Sequence, residues 1–365
     1  MRKTIFTTIL LTFTILFSMC SKTMNIQSVE GFPSAESGYE KGVSAAFSGV
    51  IDGTIYLAGG CNFPEDPMAA GAQKKYYKAI YAAPIQDNKQ LTWKKIGELP
   101  VEAAYGVSIT YQNKLILIGG NNDDQSFANV ICIQPSGDTV SIDTLPSLPG
   151  ALDNMAGCLV SNHIYILGGN CNGVASNSVW ALDMNAADKG WQEMPAMPGT
   201  ARVQPIAAAI DNEHLGVWGG FAPKSDNQPA TLATEGLSYD INTKQWTPLP
   251  APTDNSGEII FTGGSAAVNI PDTGIIVVGG VNKDIFLSAL NNLPEGYLTH
   301  EPEWYQFNSQ VLLYQQGKWK SLVQDKEIAR AGCNLAYWKD AVYVMGGEMK
   351  PRIRTPRIYR IDITK

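Results

Sequence analysis

The chain predicts an all-β protein, a six-bladed β-propeller of kelch type whose ring is closed by an N-terminal outer strand completing the last blade. Three observations carry this expectation. Six β-rich apolar runs each stop on a glycine pair: Gly59-Gly60, Gly119-Gly120, Gly168-Gly169, Gly219-Gly220, Gly279-Gly280 and Gly346-Gly347. The pairs recur with a period of roughly fifty residues, the repeat of a propeller blade. The last unit ends without an outer strand, and a spare strand-like segment stands at the opposite end of the chain.

The first twenty residues stand apart from the repeat. Arg2-Lys3, an apolar stretch from Ile5 to Phe17, and Ser18-Met19-Cys20-Ser21 read as a bacterial export signal rather than a membrane-spanning helix. Cys20 resembles a lipoprotein cleavage site, which would make it a lipid anchor in the periplasm; plain secretion is the alternative. Residues 24–365 then form a single domain. Ile26-Gln27-Ser28-Val29-Glu30-Gly31-Phe32-Pro33 is the segment expected to complete the sixth blade, because an open ring would expose sheet edges.

Each unit begins with a small-residue strand, such as Tyr105-Gly106-Val107-Ser108-Ile109 or Gly332-Cys333-Asn334-Leu335-Ala336. A tight polar turn follows (Asp52-Gly53, Gln112-Asn113, Ser161-Asn162), and then the apolar strand ending in Gly-Gly. A third strand comes next, for example Val179-Trp180-Ala181-Leu182-Asp183. The outer strand carries Trp and then Leu/Met-Pro, as in Trp93…Leu99-Pro100, Trp191…Met194-Pro195 and Trp246…Leu249-Pro250.

Composition narrows the function. The 365 residues are 44% hydrophobic and 17% charged with a net charge of −7, so nothing attracts nucleic acid. Five cysteines follow Cys20 without C-x-x-C spacing; Cys132, Cys158 and Cys333 sit in strands and read as buried filler. His163, His214 and His300 form no metal-ligand pattern, so neither metal nor cofactor is expected.

Chemistry is expected where the loops after Gly-Gly and those before each inner strand converge on one mouth of the channel. The residues after the pairs are mostly neutral hydrogen-bonding groups, including Asn62, Asn121 and Asn282; only one blade places a carboxylate there, Glu348. Glu348-Met349-Lys350-Pro351-Arg352-Ile353-Arg354 reads either as a salt-bridged surface loop or as a general acid/base among cations that bind an anion. Arg202, Arg330 and Tyr105 stand at inner-strand entrances and are expected at the same mouth. Two long loops, 61–79 and 281–310, should overhang it.

Gly347-Glu348-Met349-Lys350-Pro351-Arg352-Ile353-Arg354-Thr355, with Gly279-Gly280-Val281-Asn282-Lys283-Asp284-Ile285-Phe286, resembles the sialic acid mutarotases (N-acetylneuraminate epimerases), bacterial six-bladed kelch proteins. The resemblance covers most of residues 24–365 in a rotated order, like a cyclically permuted branch. It implies a mutarotase interconverting the anomers of sialic acid, with Glu348 as acid/base and Arg354 as the arginine binding the substrate carboxylate. Arg202 and Tyr105 lie in segments that also match. Arg330, Lys350, Asn62, Asn121 and Asn282 are the further substrate-binding candidates, the asparagines suiting the N-acetyl and glycerol arms. Arg352 replaces a glycine of the usual loop. A non-catalytic module that binds a glycan or protein, or a mutarotase of a different sugar, is the competing reading.

Overall fold

The computed structural model describes residues 24–86 and 89–363; the predicted export signal and Cys20 lie outside the described residues. Among the described residues the fold is all-β apart from one short helix and a few 3-10 turns. It contains six four-stranded antiparallel sheets. From the inner strand outward, the first sheet is Phe47–Ile51, Thr54–Ala58, Ala79–Pro84 and Lys94–Glu98, and the second is Val107–Tyr111, Lys114–Ile118, Val130–Ser136 and Thr139–Leu145. The third is Ala156–Val160, His163–Leu167, Val179–Asp183 and Gln192–Met194; the fourth is Ile206–Ala209, His214–Trp218, Gly236–Asp240 and Gln245–Leu249. The fifth is Ser265–Ile270, Gly274–Gly279, Gln310–Gln315 and Lys318–Gln324. The sixth takes Asn334–Trp338, Ala341–Met345 and Ile358–Asp362 from one end of the chain and Ile26–Val29 from the other. Ile26 lies opposite Ile361 and Val29 opposite Ile358.

A backbone cycle links the inner strands at their entrances. The N–H of Tyr105 donates to Ala45 O, Asn154 to Tyr105 O, Gln204 to Asn154 O, Gly264 to Gln204 O, Gly332 to Gly264 O, and Ala45 to Gly332 O, over 2.7–3.3 Å. All six residues have positive φ, from 53° at Ala45 to 72° at Gly264. That turn aims each N–H sideways at the preceding sheet instead of along its own strand.

The glycine pairs serve the contact between neighbouring sheets. The N–H groups of Gly60, Gly120, Gly169, Gly280 and Gly347 donate at 2.8 Å to Ala103, Leu152, Arg202, Arg330 and Val43, each in the segment leading into the next inner strand. A Cβ on Gly59 would meet Ala103 O at 2.3 Å, and one on Gly346 would meet Val43 O at 2.4 Å, so only glycine permits this approach. The Trp and Pro signals act as a pair at the periphery. Trp191, Trp246 and Trp319 Nε1 donate to the carbonyls of Pro146, Pro195 and Pro250 on the preceding outer strand, over 2.8–3.1 Å.

The core is a series of apolar layers between successive sheets rather than one central mass. Ile116, Ile118, Ile164 and Ile166 pack in one layer, and Ile276, Val278, Val342 and Val344 in another. Cys132 and Cys333 are buried in these two layers and Cys158 in a third with Leu167 and Val179, all as unpaired thiols, and burial pushes the Cys158 thiol up to about 12.

Candidate active site

A cavity of about 520 Å³ opens where the six inner strands begin. Every sheet contributes to its wall, including Ala45, Tyr105, Asn154, Gln204, Gly264 and Gly332 of the hydrogen-bonded cycle. Glu348 enters from the segment after the last glycine pair. Its position follows from local pairing: Glu348 and Ala331 exchange backbone hydrogen bonds at 2.7 and 2.8 Å, and Glu348–Lys350 folds back on Ile353–Arg354 as a small hairpin. The hairpin turns at Arg352, whose φ of 72° suits glycine, the residue expected there from the resemblance. The Arg352 N–H donates to Glu348 Oε1 at 3.2 Å.

Across the hairpin, Arg354 Nη1 lies 3.0 Å from Glu348 Oε2, with the two side chains 4% and 23% exposed. Arg354 Nε donates to Ser44 Oγ at 2.9 Å, which fixes the guanidinium plane. Nη1 is close to the carboxylate but lacks hydrogen-bond alignment with it, and Arg354 stands behind Glu348 rather than in the cavity lining itself. Burial raises the Glu348 carboxyl above its ordinary range; Arg354, the Arg352 N–H and Lys74 oppose the rise without cancelling it. Burial also drives the Tyr105 phenol well above its usual value, with Cys61 and Glu348 adding to the effect and Arg354 opposing it, so Tyr105 stays protonated at neutral pH. Its hydroxyl lies 3.5 Å from Cys61 Sγ. Tyr297 and Tyr305 also feel the Glu348 charge; burial is the larger cause in both, taking Tyr297 up to about 12.

Both long loops reach this region. The 61–79 loop sets Phe63 against Arg354 and Arg352, with the guanidinium carbons 5.4 and 5.6 Å from the ring centre. Its Lys74 ammonium lies 5.2 Å from the Tyr105 ring centre and 5.9 Å from that of Phe63. From the other loop, Tyr297, Tyr305 and Phe307 line the cavity, and the helix Lys283–Asn291 adds Ile285 and Phe286. Phe286 packs edge-on to Phe221, with ring centres 5.1 Å apart.

Glu348, Arg354 and Tyr105 are therefore brought together, and Asn282 joins the same cavity wall. The Asn282 Oδ1 is occupied in capping the helix, accepting from Asp284 and Ile285 N–H, while its Nδ2 lies 3.4 Å from Gln306 Oε1.

Five other expected binding residues lie outside the cavity lining. Arg202 is fully buried and donates to Gly219 O and Glu235 O, with Glu235 Oε1 at 2.6 Å. Arg330 stands at the equivalent place and donates to Gly346 O, Arg357 O and Glu327 O. Each arginine thus clamps the first glycine carbonyl of its own sheet and does not line the cavity. Tyr39 supplies the same bond to Gly59 O in the first sheet, and Asn308 to Gly279 O in the fifth. Asn62 is buried, donating to Gly38 O and Gly42 O and accepting from Tyr77. Asn121 pairs through its backbone with Ala104, also away from the cavity lining. Lys350 donates to His300 O at 2.6 Å and ties the Glu348–Arg354 hairpin to the overlying loop.

Sequence reasoning assigned no role in the site to Ser44, Phe63, Lys74, Asn154 or Gln204. Their common signal was register: Ser44, Asn154 and Gln204 fall within one residue of the positive-φ position that opens each inner strand.

Comparison with known proteins agrees with this architecture. The profile of the N-acetylneuraminate epimerase family matches residues 13–142 and 145–365. A curated N-acetylneuraminate epimerase from Yersinia enterocolitica is 30% identical over 249 residues, covering 64% of this chain and 61% of the relative. One from Salmonella paratyphi B is 26% identical over 232 residues, covering 60% and 58%. The chain thus spans about three fifths of the length of these relatives. Among solved structures, that of YjhT superposes with a TM-score of 0.61 at 14% identity, covering 87% of this chain and 94% of YjhT, a likeness of fold. With its profile matched along nearly the whole sequence, the chain belongs to the N-acetylneuraminate epimerase family.

Proposed function

We propose that this protein is a mutarotase that interconverts the α and β anomers of N-acetylneuraminate by acid/base-catalysed ring opening and closure. The observation that carries the reading is the 3.0 Å Glu348–Arg354 pair beside the cavity, its carboxyl raised by burial. A raised carboxylate is a better proton acceptor at the working pH, and a buried arginine fork suits a sugar carboxylate. In the opening step Glu348 takes the proton of the anomeric hydroxyl as the bond from the anomeric carbon to the ring oxygen breaks. The ring oxygen takes up a proton from solvent water, which is replaced when Glu348 releases its own proton, giving the open-chain keto acid. Rotation about the bond beside the new carbonyl presents its other face, and closure reverses both transfers. Arg354 holds the carboxylate throughout.

The family membership supports this reading, and the relatives carry the name of that activity. Six sheets, a cycle of hydrogen bonds and the pairing of Ile26–Val29 with Ile358–Asp362 support a single six-bladed ring closed by the N-terminal strand. The family order would then be cyclically permuted in this chain. The basic, apolar and Cys20 pattern of residues 1–20 supports export to the periplasm with a lipid anchor.

The test is saturation-transfer NMR of α/β exchange in N-acetylneuraminate. Wild type should accelerate exchange and Glu348→Gln should not. No acceleration by wild type sinks the enzyme reading in favour of a binding module, whereas acceleration surviving in Glu348→Gln sinks the residue assignment. Exchange of a different sugar alone would reassign the substrate.

A further inference from the structure

Across the cycle from Glu348, the third and fourth sheets present two amide side chains, Asn154 and Gln204, on the cavity wall. Their orientation is set from behind. Asp153 is 4% exposed, and its Oδ1 accepts from Asn154 Nδ2 at 2.6 Å and from Asn170 Nδ2 at 2.9 Å, while Ser126 Oγ donates to its Oδ2. With its NH₂ turned to the carboxylate, Asn154 must offer Oδ1 to its neighbour, and Gln204 Nε2 donates to that oxygen at 2.9 Å. Gln204 Oε1 is the end of this chain and is left as an acceptor at the cavity. Asn154 and Gln204 hold φ of 53° and 54°, the left-handed turn that all six residues of the cycle share, so their backbones are fixed by the same ring of hydrogen bonds.

We infer that Asn154 and Gln204 form a rigid acceptor subsite, oriented by buried Asp153, that takes a hydroxyl or amide N–H on the end of the sugar acid remote from its carboxylate. The inference rests on the mutarotase reading for its substrate. The Glu348–Arg354 side grips the carboxylate and the anomeric centre, and the amide pair reads the far end. Asp153 is a positioning residue here, because it acts only by fixing the amides. A contact made equally in the ground and transition states changes KM rather than kcat.

Exchange kinetics and equilibrium binding are measured for wild type, Gln204→Leu and Asp153→Asn. The substrates are N-acetylneuraminate and a shorter 2-keto-3-deoxy sugar acid that lacks the acetamido group and glycerol arm. Gln204→Leu should raise KM and Kd for N-acetylneuraminate about three- to tenfold, the weight of one neutral hydrogen bond. The shift should appear in KM and be absent with the shorter acid. Asp153→Asn, which lets the Asn154 amide turn over, should move the same constants in the same direction. An unchanged Kd in Gln204→Leu, or equal loss with both acids, overturns the subsite. Should wild type bind N-acetylneuraminate without exchanging it, the mutarotase reading fails while a Gln204→Leu loss in Kd still upholds the subsite. No binding by wild type overturns both.

Discussion

Arg354 and the pair Arg202 and Arg330 are all almost wholly buried, yet they serve opposite ends. Arg202 and Arg330 are 0% and 1% exposed, and their terminal nitrogens are directed chiefly at backbone carbonyls of the sheet they belong to. Arg354 instead fixes Nε on Ser44 and faces a carboxylate with Nη1, a buried donor that has no aligned hydrogen bond. Burial alone cannot separate the two roles. The destination of the terminal donors does: those of Arg202 and Arg330 end on Gly219, Glu235, Gly346, Arg357 and Glu327, leaving only a buried Nε without a partner, whereas Arg354 Nη1 faces the Glu348 carboxylate.

This contrast can be broken experimentally, and the largest effect should come from its carboxylate partner. Glu348→Gln should lower the anomer exchange rate by about 10²–10⁴-fold, the usual weight of a positioned acid/base, with the protein still folded by circular dichroism. Next comes the clamp: Arg330→Met should cost about 3 kcal/mol in denaturant unfolding, since it strands the Gly346, Arg357 and Glu327 carbonyls. The folded fraction should keep wild-type kcat, and a lost kcat with unchanged stability would make Arg330 catalytic after all. Arg354→Lys should show the reverse pattern, a fall of roughly tenfold in kcat/KM with little change in stability, because the charge survives and the fork does not.

The smallest effect concerns pH. Glu348 accepts a proton only when ionised and its carboxyl is raised by burial, so activity should climb with pH along a limb lying above the ordinary carboxylate range. Lys74 favours the ionised form, so Lys74→Met should move that limb to higher pH by a fraction of a unit. A limb that stays in place in the pH–rate profile would show that the ammonium is screened from Glu348.

Most of the regular fold was legible because its signals are local. Each apolar run with its glycine pair marks a strand packed between neighbours, and the Trp and Leu/Met-Pro signals proved to be two halves of one contact between adjacent outer strands. The site was legible in part. Glu348 and Arg354 lie six residues apart on one hairpin, so their meeting follows from local pairing. Tyr105 could be placed by its repeat position, which sets it at the opening of an inner strand.

Sequence by itself thus determined the repeat, the face on which its loops gather and the one blade that carries a carboxylate there. It could not say where long side chains end. Arg202 and Tyr105 occupy related entrances, but the first turns into its own sheet and the second lines the cavity. Only the tertiary structure decided that, since the competing partners, Gly219 O for one and the Arg354–Glu348 pair for the other, come from segments distant in the chain. The same holds for Asn154 and Gln204, whose amide orientation follows from the Asp153 carboxylate, which Ser126 and Asn170 hold in place across neighbouring sheets. Strand periodicity is a property of neighbours along the chain, whereas the direction of a hydrogen bond is set by whatever the fold brings within 3 Å or so of it.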